Sequence, residues 1–467
     1  MKSTNKNFLY NVIYQLLILA IPFITTPYIS RVLGVDNIGI YSYSYSIINY
    51  FMLAAMLGIT NYGTREIAKS SDDINKRSKT FFSIYALQFA TTTISTLILA
   101  CFILFSNFEH KQILLIQSIF LISCFLDINW LFFGLEKFKI TVSRNLVIKI
   151  LSLIATFAFV KEEGDLWKYA LIIALSTLLS QAFLWLFAAK EVRFTKVKFQ
   201  DVEKCLKPCL TLFIPVIAYT IYRITDKTMI GYFSSMGQLG NYESAEKIIN
   251  IPLGIIAALG TVMMPHMSKT EKKDSDRKIK DTYRLNFFII APICIGLAVI
   301  SYDFCRVFFG DGYELAPLIL IILLSTVIFS SITSITRNNY LIPRSKDDIY
   351  VKSTIYGAII NLVLNLIFIP KFGALGACIG TVVAEFSIML YQIVKTKDAI
   401  KYKDNIKASS IFVVKSIAMG CIIFLLGLVI PDTIVRIIAQ IAVGVIAYAL
   451  MNISYMKYDF LGAKQHN

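Results

Sequence analysis

The chain is 467 residues long, 56% hydrophobic and only 16% charged, with a mean hydropathy of +0.65. That is far too apolar for a water-soluble domain of this length, and it places the chain in a membrane. The net charge of +16 does not argue for nucleic acid, because Lys and Arg fall in short clusters between apolar runs, the pattern that sets membrane topology.

The N-terminal MKSTNKNFLYNVIYQ has a basic start, no small-residue cleavage site and an apolar run of spanning length, so it reads as the first transmembrane helix and not as a signal peptide. Crossing about 30 Å of hydrocarbon takes about twenty apolar residues. On that basis fourteen spans are expected, near 8–29, 38–60, 81–106, 112–134, 145–160, 167–189, 208–232, 247–267, 285–301, 315–336, 353–370, 373–394, 408–430 and 434–454. With the N-terminus inside, 36 of the 46 Lys and Arg lie on the inner side and seven on the outer. The other three, Arg223, Lys227 and Lys247, lie within or at the edge of spans seven and eight. This bias predicts cytoplasmic termini.

No connection exceeds about thirty residues, which leaves no room for a soluble domain. A GxxxxGK[ST] phosphate loop is absent, and His110, His266 and His466 lie at span edges or in the tail, so no catalytic cluster emerges and the chain does not read as an enzyme. The eight cysteines are scattered. Cys205 and Cys209, one helical turn apart, read as small hydrophobes and not as metal ligands, since no His or second pair is near.

Span one and its sequel read LAIPFITTPYISRVLGVDNIGIYSYS, and span seven reads LFIPVIAYTIYRITDKTMIGYFSSMGQLGNYESA. Each has Ile-Pro, then charge, then a Gly-x-Tyr opening the next span, at Gly39 to Tyr41 and Gly240 to Tyr242. Each following span ends in a basic loop, TREIAKSSDDINKRSK and HMSKTEKKDSDRKIK. Because spans one and seven share an orientation, these matches predict an all-α protein of two six-helix lobes in a parallel, pseudo-two-fold repeat. The lobes are expected at 1–205 and 206–400, followed by two extra helices and a cytoplasmic tail at 401–467.

PYISRVLGVDNIGIYSYS, GITNYGTREIAK, TDKTMIGYF with GNYESAEKI, and IPRSKDDIYVKSTIYGAIINLVLNLIFIPKFGALGACIGT together resemble the polysaccharide transporter branch of the multidrug/oligosaccharidyl-lipid/polysaccharide exporter superfamily. These are the bacterial O-antigen and capsule repeat-unit flippases, and the resemblance covers nearly the whole chain. It implies a multi-pass protein of the bacterial cytoplasmic membrane with a central cavity. It also implies translocation of an undecaprenyl-pyrophosphate-linked oligosaccharide from the inner to the outer leaflet by alternating access. The implied partners are that cargo, membrane lipids, and the polysaccharide polymerase and export machinery, with no nucleic acid. No cofactor is implied, and coupling to protons or sodium stays open. A multidrug antiporter and a peptidoglycan-precursor flippase of the same superfamily are the rival readings. A polymerase or ligase would need a larger outer loop.

A pyrophosphate cannot cross hydrocarbon bare, and guanidinium groups suit it because they donate paired hydrogen bonds and stay charged when desolvated. The stretch IYRITDKTMIG puts Arg223, Asp226 and Lys227 inside an apolar run. These either snorkel to headgroups or face a cavity with Arg31 and Lys247 as further cargo-binding cations. Tyr45 and Asn49, in the polar and aromatic span two, are candidate sugar contacts. Asp226 and Glu385 are the candidate ion-coupling carboxylates. Asp127 and Lys149 are expected to pair structurally. Asn361 and Asn365, like Asn49 and Asn129, are expected to bond between helices, and Gly373, Gly376 and Gly380 to permit close packing.

Overall fold

The computed structural model describes residues 2–268 and 272–460, with side chains left undescribed over 2–20, 458–460 and parts of 214–222 and 261–275. Among the described residues every regular element is helical. Ten helical stretches are long and apolar enough to cross a membrane, and the chain is a multi-pass membrane protein. The four other expected spans fall in three long helices, Lys2–Met56, Phe199–Phe233 and Met236–Ser268. The chain forms two compact units, Met1–Gly240 and Asn241–Asn467.

The first unit contains α1 (Lys2–Met56), α2 (Ile59–Ala68), α3 (Ile74–Phe105), α4 (Lys111–Ser123), α5 (Asn129–Gly134), α6 (Phe138–Phe159), α7 (Leu166–Ala188) and α8 (Phe199–Phe233). Spans one and two were expected to flank a loop, but span one and span two as far as Met56 lie in α1, separated only by Gly34. Its φ of 75° and ψ of 169° are open to glycine and costly for other residues, so one residue does the work of a turn. α3 is N-capped by Asp73, whose carboxylate accepts from the amides of Asn75 at 2.8 Å and Lys76 at 3.2 Å.

The expected continuous span 112–134 is broken. A 3-10 turn at Cys124–Leu126 and an extended Asp127 separate α4 from α5. A break inside a membrane leaves carbonyls without helical partners, and these must be satisfied internally. Gln88 Nε2 donates to the carbonyls of Cys124 at 2.6 Å and Asp127 at 2.9 Å, and Trp185 Nε1 donates to that of Leu126 at 3.0 Å. Trp130 Nε1 closes the network on Gln88 Oε1 at 3.0 Å. Around it pack Ile67, Phe81, Trp130 and Phe132, all fully buried. Gly63 makes this possible, since a Cβ there would stand 2.7 Å from the Trp130 ring.

The two Gly-x-Tyr glycines meet within this unit. A Cβ on Gly39 would overlap the carbonyl of Met236, and one on Gly240 would overlap the carbonyl of Val35. Each glycine of the repeat therefore admits the backbone of the other copy.

The second unit holds most of α9 (Met236–Ser268), then α10 (Lys272–Phe309), α11 (Ala316–Thr336), α12 (Asp347–Phe372), α13 (Ala374–Thr396), α14 (Tyr402–Val429) and α15 (Thr433–Met451). α12 and α13 cross closely, with Gly376 against the Phe368 carbonyl and Gly380 against the Asn365 amide. Asn365 Nδ2 donates to Asn361 Oδ1 at 3.0 Å within α12, and the bond expected between helices is made by Asn361 Nδ2, which reaches Thr381 Oγ1 of α13 at 3.5 Å. Asn286 of α10 accepts from Ser331 Oγ of α11 at 2.7 Å. The core is aromatic, built on Tyr283, Phe287, Tyr340 and Phe412. α15 is tied to α10 by Arg436 with Asp303 at 2.8 Å, and to α14 by Gln440 Nε2 donating to the Ile423 carbonyl at 2.8 Å.

Candidate functional site

The charged stretch of α8 packs beside the polar half of α1. Thr228 Oγ1 donates to Ser46 Oγ at 3.0 Å and Tyr50 Oη at 3.2 Å, and Tyr50 Oη lies 3.4 Å from Thr225 Oγ1. Gly231 leaves room for the Tyr43 ring. Asp226 is 4% exposed, whereas Arg223 and Lys227 are half-buried and Arg31, just before the Gly34 break, is exposed. Tyr45 meets the Phe120 ring edge-on at 5.0 Å and stacks on Tyr41 at 6.0 Å. Asn49 donates to the Tyr45 carbonyl of its own helix at 3.1 Å. The α1–α8 contact thus brings the neighbourhoods of Tyr45 and Asn49 alongside that of Arg223, Asp226 and Lys227. Lys247 and Glu385 belong to the second unit. There Lys247 Nζ stands 3.9 Å from Glu243, and Glu385 accepts from Ser330 Oγ at 3.0 Å.

A second polar locus lies wholly within the first unit. A cavity of about 360 Å³ is walled by α1, α6 and α7, with Thr25, Asn145, Lys149, Thr177 and Gln181 among its lining. Arg144, only 4% exposed, holds one end. It donates to the Ser180 carbonyl at 2.8 Å, Asn129 Oδ1 at 3.1 Å and Asn145 Oδ1 at 2.7 Å. Asn129 Nδ2 in turn donates to Gln181 Oε1 at 3.0 Å.

The expected pairing of Asp127 with Lys149 is not formed. Asp127 accepts from the Asn129 amide at 3.0 Å and from Asn129 Nδ2 at 2.7 Å, and Arg144 is the cation that attracts it. The reason is the helix break, because leaving α-helical geometry at Asp127 turns its carboxylate onto the start of α5. Arg144, Asn145 and Gln181 were not singled out from the sequence. The available signal was periodic, since Ser176 with Ser180 and Thr177 with Gln181 repeat at i and i+4 along an otherwise apolar α7.

Outside the spans, two charged groups mark the ends of helices. The Lys79 ammonium, 3.1 Å from Asp201, holds that carboxyl below the usual aspartate range. Asp276, 3.0 Å from Lys401, pushes that ammonium above the usual lysine value. Among the described residues no group of His, Cys, Asp and Glu is placed to hold a metal ion, and the cysteines are free thiols.

Comparison with known proteins adds a family and a fold. Residues 4–271 match the model of a family described as "Polysaccharide biosynthesis protein". A Shigella dysenteriae protein named "Putative O-antigen transporter" is 26% identical over 386 residues, covering 80% of this chain and 96% of its own. A Bacillus subtilis lipid II flippase, MurJ, is 26% identical over 184 residues, covering 38% of this chain and 34% of its own. Among solved structures, lipid II flippase MurJ in an inward closed conformation superposes with a TM-score of 0.71 at 18% identity, over 94% of this chain and 99% of that one. An inward-facing multidrug transporter of the same superfamily gives 0.59 at 14% identity, over 83% and 95%. These relatives are named as transporters and flippases, not as enzymes.

Proposed function

The chain belongs to the polysaccharide biosynthesis protein family, and from that premise we propose that it is a flippase for lipid-linked oligosaccharide. Its cargo in this reading is an undecaprenyl-pyrophosphate-linked repeat unit, moved from the inner to the outer leaflet of the bacterial cytoplasmic membrane for O-antigen, capsule or exopolysaccharide assembly. The near-full-length likeness to an O-antigen transporter carries the reading. The chemistry is consistent with it, since an anionic, sugar-bearing headgroup needs polar surroundings inside apolar helices. Arg31, Arg223, Lys227 and Lys247 are assigned to the pyrophosphate, and Tyr45 and Asn49 to sugar. Asp226 and Glu385 are assigned to a coupled proton or sodium ion. Transport proceeds by alternating access of lobes at 1–205 and 206–400, with both termini cytoplasmic. The polymerase and export machinery that consume the product are its working neighbours.

The test is depletion of the protein in its host while synthesis of the repeat unit continues. The lipid-linked repeat unit is expected to accumulate on the cytoplasmic leaflet, with surface polysaccharide lost. A well-expressed Arg223→Ala variant is expected to reproduce the defect and Arg223→Lys to retain a fraction of export, because Lys keeps the charge but loses the fork. Unchanged outer-leaflet intermediate after depletion, with no second transporter present, would reject the assignment. The fold likeness to MurJ favours a second reading, a peptidoglycan precursor as cargo, and accumulation of that precursor instead would establish it.

A further inference from the structure

The cavity inside the first unit contains a cation without a counter-charge. Arg144 is compensated by Asp127 and by the oxygens it donates to. Lys149 is not: among the described residues no carboxylate and no hydrogen-bond acceptor meets its ammonium, which lines the cavity. It stands eleven residues beyond Phe138 in a helix of 22 residues. At 1.5 Å per residue that is about 16 Å from the helix start, too deep for its stem to carry the charge to an end. An ammonium at that depth is costly unless an anion or water completes it, and such residues mark ligand or ion paths. Around it stand hydroxyl and amide groups of Ser176, Thr177, Asn145 and Gln181, suited to phosphate and sugar oxygens.

The size and the neighbour of this cavity narrow the ligand. At about 360 Å³ it is at the low end of small-ligand sites, which run from roughly 300 to 1,000 Å³. That accommodates a diphosphate headgroup but not a multi-sugar chain. Sharing Arg144 and Ile148 with it is a second, apolar groove of about 400 Å³ lined by Ile140, Val147, Phe183 and Phe187. Val147 and Phe183 are 56% and 42% exposed, so the groove opens on the apolar outside of the helices. A polar cavity and an apolar groove with Arg144 and Ile148 in both their walls match a ligand divided in the same way, an anionic head on a single hydrocarbon chain.

We propose that these adjoining cavities bind the phosphate headgroup of a single-chain, isoprenoid-type lipid, with Lys149 on the phosphate and the chain along the groove between α6 and α7. The isoprenoid nature of the chain rests on the flippase reading; the anion site itself rests on Lys149.

The test titrates farnesyl pyrophosphate, as a short probe, into the full chain in phosphatidylcholine nanodiscs and reads binding by thermal shift. Farnesol, inorganic pyrophosphate and phosphatidylglycerol are run as separate arms. Wild type is expected to bind farnesyl pyrophosphate saturably. Lys149→Gln should weaken it by roughly tenfold or more, the effect of one lost charge-assisted contact, with partial recovery in Lys149→Arg. Val147→Trp, which fills the groove, should weaken it too. Equal affinity in wild type and Lys149→Gln, or binding of farnesol as tight as its pyrophosphate, would overturn the anion site. Inorganic pyrophosphate binding as tightly as the lipid would overturn the groove, and displacement by phosphatidylglycerol at equal concentration would overturn the isoprenoid assignment. Should Lys149→Gln fail to fold, Val147→Trp and the competition arms decide. Depletion reads transport without reference to Lys149, so a failed binding site leaves the flippase assignment standing, and the converse also holds.

Discussion

The α6–α7 pair of the first unit and the α12–α13 pair of the second are built from similar material and end differently. All four helices are strongly apolar and span-length, and each pair carries amides, buried at Asn361 and Asn365 and half-buried at Asn145 and Gln181. α12 and α13 have glycines at Gly357, Gly376 and Gly380, so their backbones approach until Asn361 and Asn365 are buried at the crossing. α6 and α7 contain no glycine. Their side chains hold the helices apart, and Arg144, Lys149 and Gln181 border space instead of filling it. What distinguishes a packing contact from a cavity here is the crossing residue, not the number of polar groups.

The largest effect that tests this contrast is expected at the glycine crossing. Gly380→Leu drives a side chain into the Asn365 amide, and overpacking of this kind costs about 1 to 3 kcal/mol or more. Loss of the monodisperse peak in detergent size-exclusion chromatography is the expected outcome. Ser176→Leu, placed in the α6–α7 cavity, should keep that peak, and equal loss in both variants would break the comparison. A smaller effect separates the amides that join neighbouring helices. Gln88→Leu removes two donors and one acceptor from the α4–α5 break, whereas Asn286→Leu removes one bond to Ser331. At about 1 kcal/mol for each lost bond, and more where a buried partner is orphaned, Gln88→Leu should lower the unfolding midpoint clearly more than Asn286→Leu.

The smallest effect concerns pH, and the two units should respond in opposite directions. Asp201, held down by Lys79, stabilises above the ordinary aspartate pKa, and that contribution disappears as pH falls through its lowered value. Lys401, raised by Asp276, stabilises below the ordinary lysine pKa and loses its contribution as pH rises through the raised value. Unfolding midpoints of Asp201→Asn should therefore converge with wild type only at the acid end, and those of Lys401→Gln only at the alkaline end. Both groups are at the surface, where solvent keeps such terms small.

The membrane class, the helical architecture and the family were legible because hydropathy and the repeat motifs are properties of the chain read along its length. Rotation about each helix is not. Arg144 counts as an inner-side basic residue in the sequence, yet it is buried against Ser180 and Asn129, because where it points depends on α7 and on the break at Asp127. That break is itself invisible to hydropathy, since CFLDINW is apolar enough to continue a span. Gln88, thirty-six residues earlier than Cys124, and Trp185, fifty-nine residues after Leu126, supply the donors that let the helix open. The Gly34 turn was missed for the opposite reason. Charged and polar residues around it suggested a loop, whereas one glycine sufficed.

The reciprocal seating of Gly39 and Gly240 has an ancestral implication. When segment A lends to segment B the same notch that B lends to A, the contact is isologous, the type formed by identical subunits about a two-fold axis. Two stretches of one chain retain it here, at 35–39 and 236–240. A gene that doubled and fused would inherit that handshake already formed. Neither glycine can take a side chain without displacing the backbone of the other stretch, so the two positions are constrained together even where the residues around them differ.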